Sequence, residues 1–157
     1  MTTIRRARAG DEALALALLR ELAEYEKLLD KFHITEEIIR RDYFRAEPLL
    51  NCELVFEGDK PAGIATWYWT YSSFAARRGI FLEDLFVRPQ FRGKGWGKAL
   101  LAHLAREAVK ANAKHIEWSV LDWNEPSIEF YESIGAERNK GWYNYRLEGD
   151  ALRALGE

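Results

Sequence analysis

Arg92-Gly93-Lys94-Gly95-Trp96-Gly97-Lys98 is the stretch on which the fold turns. The run before it, Phe81-Leu82-Glu83-Asp84-Leu85-Phe86-Val87, reads as a strand. The run after it, Ala99 to Ala111, repeats its apolar residues at helical spacing through Leu100, Leu101, Leu104, Ala108 and Val109. A strand, a glycine-rich turn and a helix in that order form an anion-binding device. The first turn of a helix presents backbone N–H groups without partners and a partial positive charge, and glycines let a phosphate approach them. Arg92, Lys94 and Lys98 add full charges. A phosphorylated ligand is the expectation.

Outward from the turn, the chain reads as alternating short elements. On the N-terminal side come a strand at Thr3–Arg8, a turn with Asp11 as the helix cap, and a helix to about Leu29. A second helix opens at Thr35 and is closed off by Pro48. Leu49–Phe56 and Pro61–Trp69 form a hairpin about Glu57-Gly58-Asp59-Lys60, and a loop at 74–79 leads into the strand at Ile80–Val87. On the C-terminal side the expectation is a strand at His115–Leu121, a helix from Asn124 to Ile134 and a last strand at Trp142–Leu147. Alternation along Phe81–Leu85 places Glu83 and Asp84 on opposite faces. The order predicts an α/β (α+β) fold with a central mixed, mostly antiparallel sheet flanked by helices, read as one domain over residues 1–157.

Composition narrows the function. With 48% hydrophobic and 31% charged residues the chain is globular, and a formal net charge of -2 offers no broad basic field for nucleic acid. No apolar run nears the roughly 20 residues needed to span a bilayer. Cys52 is the single cysteine, so it makes no disulfide within the chain, and in its apolar run it reads as buried filler; this suits a cytoplasmic protein. His33, His103 and His115 lack metal-ligand spacing, so no metal is expected. The glycine spacing also excludes two nucleotide loops. A P-loop needs GxxxxGK followed by Ser or Thr, and no Ser or Thr follows Lys98. A dinucleotide turn needs its third glycine one residue later, on an early strand.

Val87-Arg88-Pro89-Gln90-Phe91-Arg92-Gly93-Lys94-Gly95-Trp96-Gly97 resembles the acetyl-CoA signature of the N-acetyltransferase (GNAT) superfamily. The resemblance covers nearly the whole chain. At Tyr25-Glu26, at Phe81–Val87, at Trp123-Asn124-Glu125-Pro126-Ser127-Ile128-Glu129-Phe130-Tyr131 and at Gly141-Trp142 it is similar to the diamine (spermidine/spermine) N-acetyltransferase branch. It implies a GNAT fold, acetyl-CoA as cofactor, a small primary amine as acceptor, direct transfer in a ternary complex, and a homodimer.

The resemblance also implies roles. Leu85, Phe86, Val87, Arg92, Gly93, Lys94, Gly95, Trp96, Gly97 and Lys98 would hold the cofactor, with an oxyanion donor among the backbone N–H groups near Phe86 or Val87. Asn124 would touch the pantetheine arm, although Asn is also a good helix cap. Tyr131 would protonate the departing thiolate, since a phenol of pKa about 10 keeps its proton at neutral pH. By spacing alone Phe130-Tyr131 reads as core. Glu83 would take the amine's proton, through water; an acid inside an apolar strand is costly unless paired or functional. Tyr25, Glu26, Glu83, Asp84 and Trp142 would line the acceptor site, although Glu26 reads equally as a solvated helix residue and Trp142 as sheet packing. Two alternatives share the glycine turn: a GNAT enzyme acting on protein amines, and a non-catalytic CoA-binding module.

Overall fold

The computed structural model describes residues 1–157, in two compact units, Met1–Ser119 and Val120–Glu157. The first unit holds a sheet of five strands in sequence order: β1 Thr2–Arg6, β2 Asn51–Glu57, β3 Lys60–Ser72, β4 Arg77–Val87 and β5 Ile116–Glu117. The pairs β1–β2, β2–β3 and β3–β4 are antiparallel, and β4–β5 is parallel. The mixed, mostly antiparallel sheet expected from the sequence is the sheet observed.

Helices cover both faces of this sheet. Helix α1 spans Glu12–Tyr25 and α2 spans Glu36–Asp42. They bury Ala15, Leu18, Leu19, Leu22, Ile39 and Tyr43 against Cys52, Leu54, Ile64 and Phe86 of the sheet. Burial of each such aliphatic side chain stabilises the fold by about 1.5–3 kcal/mol relative to exposure. Successive strand residues point to opposite faces, so Glu53, Ala65 and Trp67 lie on the other side. Helix α3, Trp96–Lys110, packs there, with Leu100, Leu101, Leu104 and Ala108 buried and the His103 Nε2 3.6 Å from Glu53 Oε2. Glu53 is itself buried and accepts from Arg6 Nε at 2.8 Å and Trp67 Nε1 at 3.3 Å.

Several expected elements differ in extent or detail. Asp11 stands at the cap position of α1 but does not cap it; its carboxylate accepts from Arg5 Nη1 at 2.7 Å and from the Arg8 N–H at 2.8 Å. Helix α1 stops at Tyr25 because Lys27 adopts a left-handed backbone, φ +59°; a separate 3-10 turn follows at Leu29–Lys31. Helix α2 opens at Thr35 as expected, and the Thr35 hydroxyl caps it, accepting from the Ile38 N–H at 3.1 Å. Helix α2 ends at Asp42, well before Pro48. Strand β4 begins three residues earlier than Ile80, because Arg77, Arg78 and Gly79 pair with Ser72, Tyr71 and Thr70. Val109 is exposed rather than buried.

Alternation along β4 is broken. Thr66 pairs with Asp84 and Trp67 with Leu82, which leaves Glu83 as the extra residue of a β-bulge. Asp84 therefore shares a face with Thr66, against α1 and α2. Leu82 lies on the other face with Trp67, so Glu83, the next residue, is turned the same way as Asp84. The two acids do not lie on opposite faces.

The second unit carries α4, Glu125–Ser133, and α5, Gly149–Leu155. Asn124 is buried and caps α4, its side-chain oxygen accepting from the Ser127 N–H at 3.4 Å. The expected strand at 115–121 shrinks to Ile116–Glu117, and the expected strand at Trp142–Leu147 does not form. Trp142, Tyr143 and Tyr145 are instead 82%, 91% and 95% exposed. Alternating apolar residues suit a strand, but only a neighbouring backbone makes one, and these residues pair with none.

Candidate active site

The glycine turn is built as its sequence demands. A 3-10 turn at Pro89–Phe91 leads out of β4, and Gly93 and Gly95 take φ values of +78° and +86°. Only glycine accepts such values at little cost. A Cβ placed on either would meet no atom within 4 Å, so the surface above both is open. Gly95 occupies the cap position of α3, and the first helical bond runs from the Ala99 N–H to the Gly95 carbonyl at 2.9 Å. The N–H groups ahead of Ala99 belong to the first turn, which has no carbonyl one turn earlier to bind.

The turn's side chains are held to one side. Arg92 Nε donates to the Val87 carbonyl at 2.9 Å, and its guanidinium lies over the rings of Tyr25, at 5.1 Å, and Phe86, at 5.8 Å. Lys94 Nζ pairs with Glu57 at 2.9 Å, and Trp96 Nε1 donates to the same carboxylate at 3.0 Å. Lys98 is exposed one turn into α3.

One edge of β4 is bare beside the turn. Pairing with β5 ends at Phe81↔Glu117, so from Leu82 to Val87 the sheet has a neighbour only on the β3 side. Backbone groups of Leu85, Phe86 and Val87 on the other edge have no strand beside them.

The acids gather on the α1–α2 face. Asp84 accepts from the Thr66 hydroxyl at 2.5 Å. Burial, and then the charges of Glu83 and Glu26, push the Asp84 carboxyl up to about 6, against the opposing hydrogen bond from Thr66. Burial alone raises Glu26, which follows the last residue of α1. Tyr43 is raised mainly by its own burial and next by Asp84, and burial pushes the Cys52 thiol up nearby. Glu83 is exposed. A cation entering this group would relieve a repulsion already present.

The structure thus puts Glu83 and Asp84 on one face of β4, with Glu26 directly after α1 on that side, and lays Arg92 over Tyr25. In the second unit, Tyr131 lies on α4 half-buried beside Phe130, ring centroids 5.5 Å apart, and Asn124 caps the same helix. Trp142 is exposed and packs no sheet. Sequence reading missed Thr66, Tyr43 and Glu57. Thr66 and Tyr43 carried no signal, since their roles arise from strand register and helix packing. Glu57 was visible only as part of a hairpin turn.

A five-stranded mixed sheet, a glycine turn opening a helix and a bare edge on the strand before it define an acyltransferase scaffold. The chain matches the model of the Acetyltransferase (GNAT) family over residues 15–136 and belongs to that family. It is an acetyltransferase. It is 37% identical over 164 residues to a thialysine N-epsilon-acetyltransferase of Sus scrofa, covering 97% of this chain and 95% of that protein. It is 46% identical over 94 residues to the L-ornithine N5-acetyltransferase NATA1 of Arabidopsis thaliana, covering 60% of this chain and 41% of that one. Among solved structures, an integron cassette protein from the mobile metagenome of V. cholerae aligns over 99% of this chain and 98% of its own, with a TM-score of 0.83 and 27% identity. No helix is long and apolar enough to cross a membrane.

Proposed function

We propose that the protein transfers acetyl from acetyl-CoA to the primary amine of a small cationic acceptor: a diamine, a polyamine or an amino acid with an aminoalkyl side chain. The shared face of Glu83 and Asp84 on β4, with Glu26 directly after α1, which packs on that face, carries this reading. Three carboxylates on one face form a site for a substrate with more than one positive charge. Relatives named for thialysine and for ornithine act on amino acids of that kind, which supports the same acceptor class here.

The residues fit the cofactor. The open surface over Gly93 and Gly95, with the α3 amides beneath, suits a pyrophosphate. The bare edge of β4 at Leu85, Phe86 and Val87 suits a chain of amides such as pantetheine. Bound there, acetyl-CoA supplies the acetyl group as an activated thioester.

The chain's own groups do the remaining work. Glu26 and Asp84 draw the ammonium in. Glu83, exposed beside them, takes the amine's proton through water, and the free amine then attacks directly within a ternary complex. A backbone N–H near Phe86 or Val87 stabilises the oxyanion. Tyr131 protonates the departing thiolate, and Asn124 adds a contact to the cofactor's arm. The chain, residues 1–157, is read as one catalytic domain of an enzyme that works in the cytoplasm as a homodimer.

A panel of diamines, polyamines, ornithine, lysine analogues and lysine-containing peptides, assayed by CoA release, tests the acceptor. The expected outcome is a kcat/KM for the small amines at least ~10-fold above that for peptides, about 1.4 kcal/mol of preference. A preference for peptides would replace this reading with protein acetylation. Absence of CoA release from every amine would leave a CoA-binding module.

A further inference from the structure

Fixed side chains and glycines alternate along the phosphate turn. Arg92, Lys94 and Trp96 are each tied to protein groups, while Gly93 and Gly95 between them stay open. Two of the three ties end on one residue. Glu57 is the last residue of β2, 37 positions before Lys94 in the chain. Its Oε1 and Oε2 stand 2.9 and 3.1 Å from Lys94 Nζ, and Oε2 also accepts from the Trp96 indole at 3.0 Å. Lys94 lies in addition over the Phe91 ring, at 5.5 Å.

An acid so close to an anion site is an electrostatic liability, so its presence needs a reason. We infer that Glu57 is a positioning residue for the cofactor turn: it holds Lys94 and Trp96 outward, and so keeps the backbone N–H groups of the turn and of the α3 start facing the phosphates. This rests on the acetyl-CoA reading above. Lys94 spends its charge on Glu57, and the turn recognises phosphate through its backbone, with Arg92 and Lys98 as exposed charges beside it. The Lys94 hydrogen bond first, and the Trp96 bond after the opposing effect of desolvation, hold the Glu57 carboxyl below the usual carboxylate range, so the clamp is closed at neutral pH.

Calorimetric titration of the full chain with free coenzyme A, beside steady-state kinetics, tests this. Glu57→Ala removes both ties and is expected to weaken CoA binding about tenfold, with the loss falling on the KM for acetyl-CoA rather than on kcat. Glu57→Gln keeps an acceptor for the Trp96 indole and is expected to lose no more than about threefold. Unchanged melting temperatures would show that both variants fold. CoA affinity that stays the same or tightens in Glu57→Ala overturns the inference and makes Glu57 a competitor of the phosphates for Lys94. A wild-type chain that does not bind CoA overturns the cofactor reading itself, and this inference with it.

Discussion

The glycine turn at Arg92–Lys98 and the acid group of Glu26, Glu83 and Asp84 sit in the same unit and, in the proposed function, meet opposite electrostatic demands. On the proposed reading the turn offers backbone dipoles to an anion; of its side chains Lys94 is paired with Glu57, while Arg92, laid over two rings, keeps its charge. The acid group prepares for a cation with side chains that repel one another. Backbone recognition needs only a local conformation, which Gly93 and Gly95 supply. Side-chain recognition needs residues distant in sequence to be brought together and held there against their own repulsion. On the proposed reading the cofactor turn needs only a local conformation, while the acceptor site carries a cost that its ligand would relieve.

The sharpest break in this comparison would come from the turn. Gly95→Asp puts a Cβ and a negative charge where φ is +86°, and the expected result is a loss of CoA affinity of more than about 10²-fold in calorimetry, roughly 3 kcal/mol or more. Unchanged affinity would show that phosphate does not sit on this turn.

Tyr131→Phe separates binding from chemistry. CoA affinity should stay at the wild-type level while turnover falls about 10²-fold, the scale of a lost general acid. Turnover near wild type would remove Tyr131 from the mechanism.

Asp84→Asn probes the smaller, stored cost. Folded Asp84 keeps its proton up to about pH 6, whereas an ordinary carboxyl loses it near 4. Its contribution to stability is therefore fully present below about pH 4 and is lost as pH rises through 6. At pH 7.5 the variant should be more stable than wild type by about 1–3 kcal/mol, read as a higher Tm, and the decline between pH 4 and 6 should flatten. A lower Tm at pH 7.5 would mean that ionised Asp84 stabilises the fold, and the acid group would not be the strained region described. The same variant should leave CoA affinity unchanged, since the two sites are built from different parts.

Legibility followed the same division. The turn and α3 could be read directly, because positive φ selects glycine and helical burial recurs at a fixed spacing. The start of α2 at Thr35 was legible for the same local reason. The bulge at Glu83 was not, because a bulge exists only between two strands: Phe81–Val87 alone gives no sign that Thr66 faces Asp84 and Trp67 faces Leu82. Asp11 looked like a cap until Arg5, six residues earlier, took its carboxylate at 2.7 Å. Trp142–Leu147 has a strand's alternation and no strand partner.

The sequence by itself determined the order of elements through α4, the glycine turn and the family, since helices, strands and turns are marked by residues within a few positions of one another. Tertiary structure alone decided that Glu83 and Asp84 share a face, that Tyr43 and Thr66 attend them, and that Glu57 closes on Lys94 and Trp96. Those facts depend on strand register and helix packing, and register is a property of two chain segments that neither segment encodes alone.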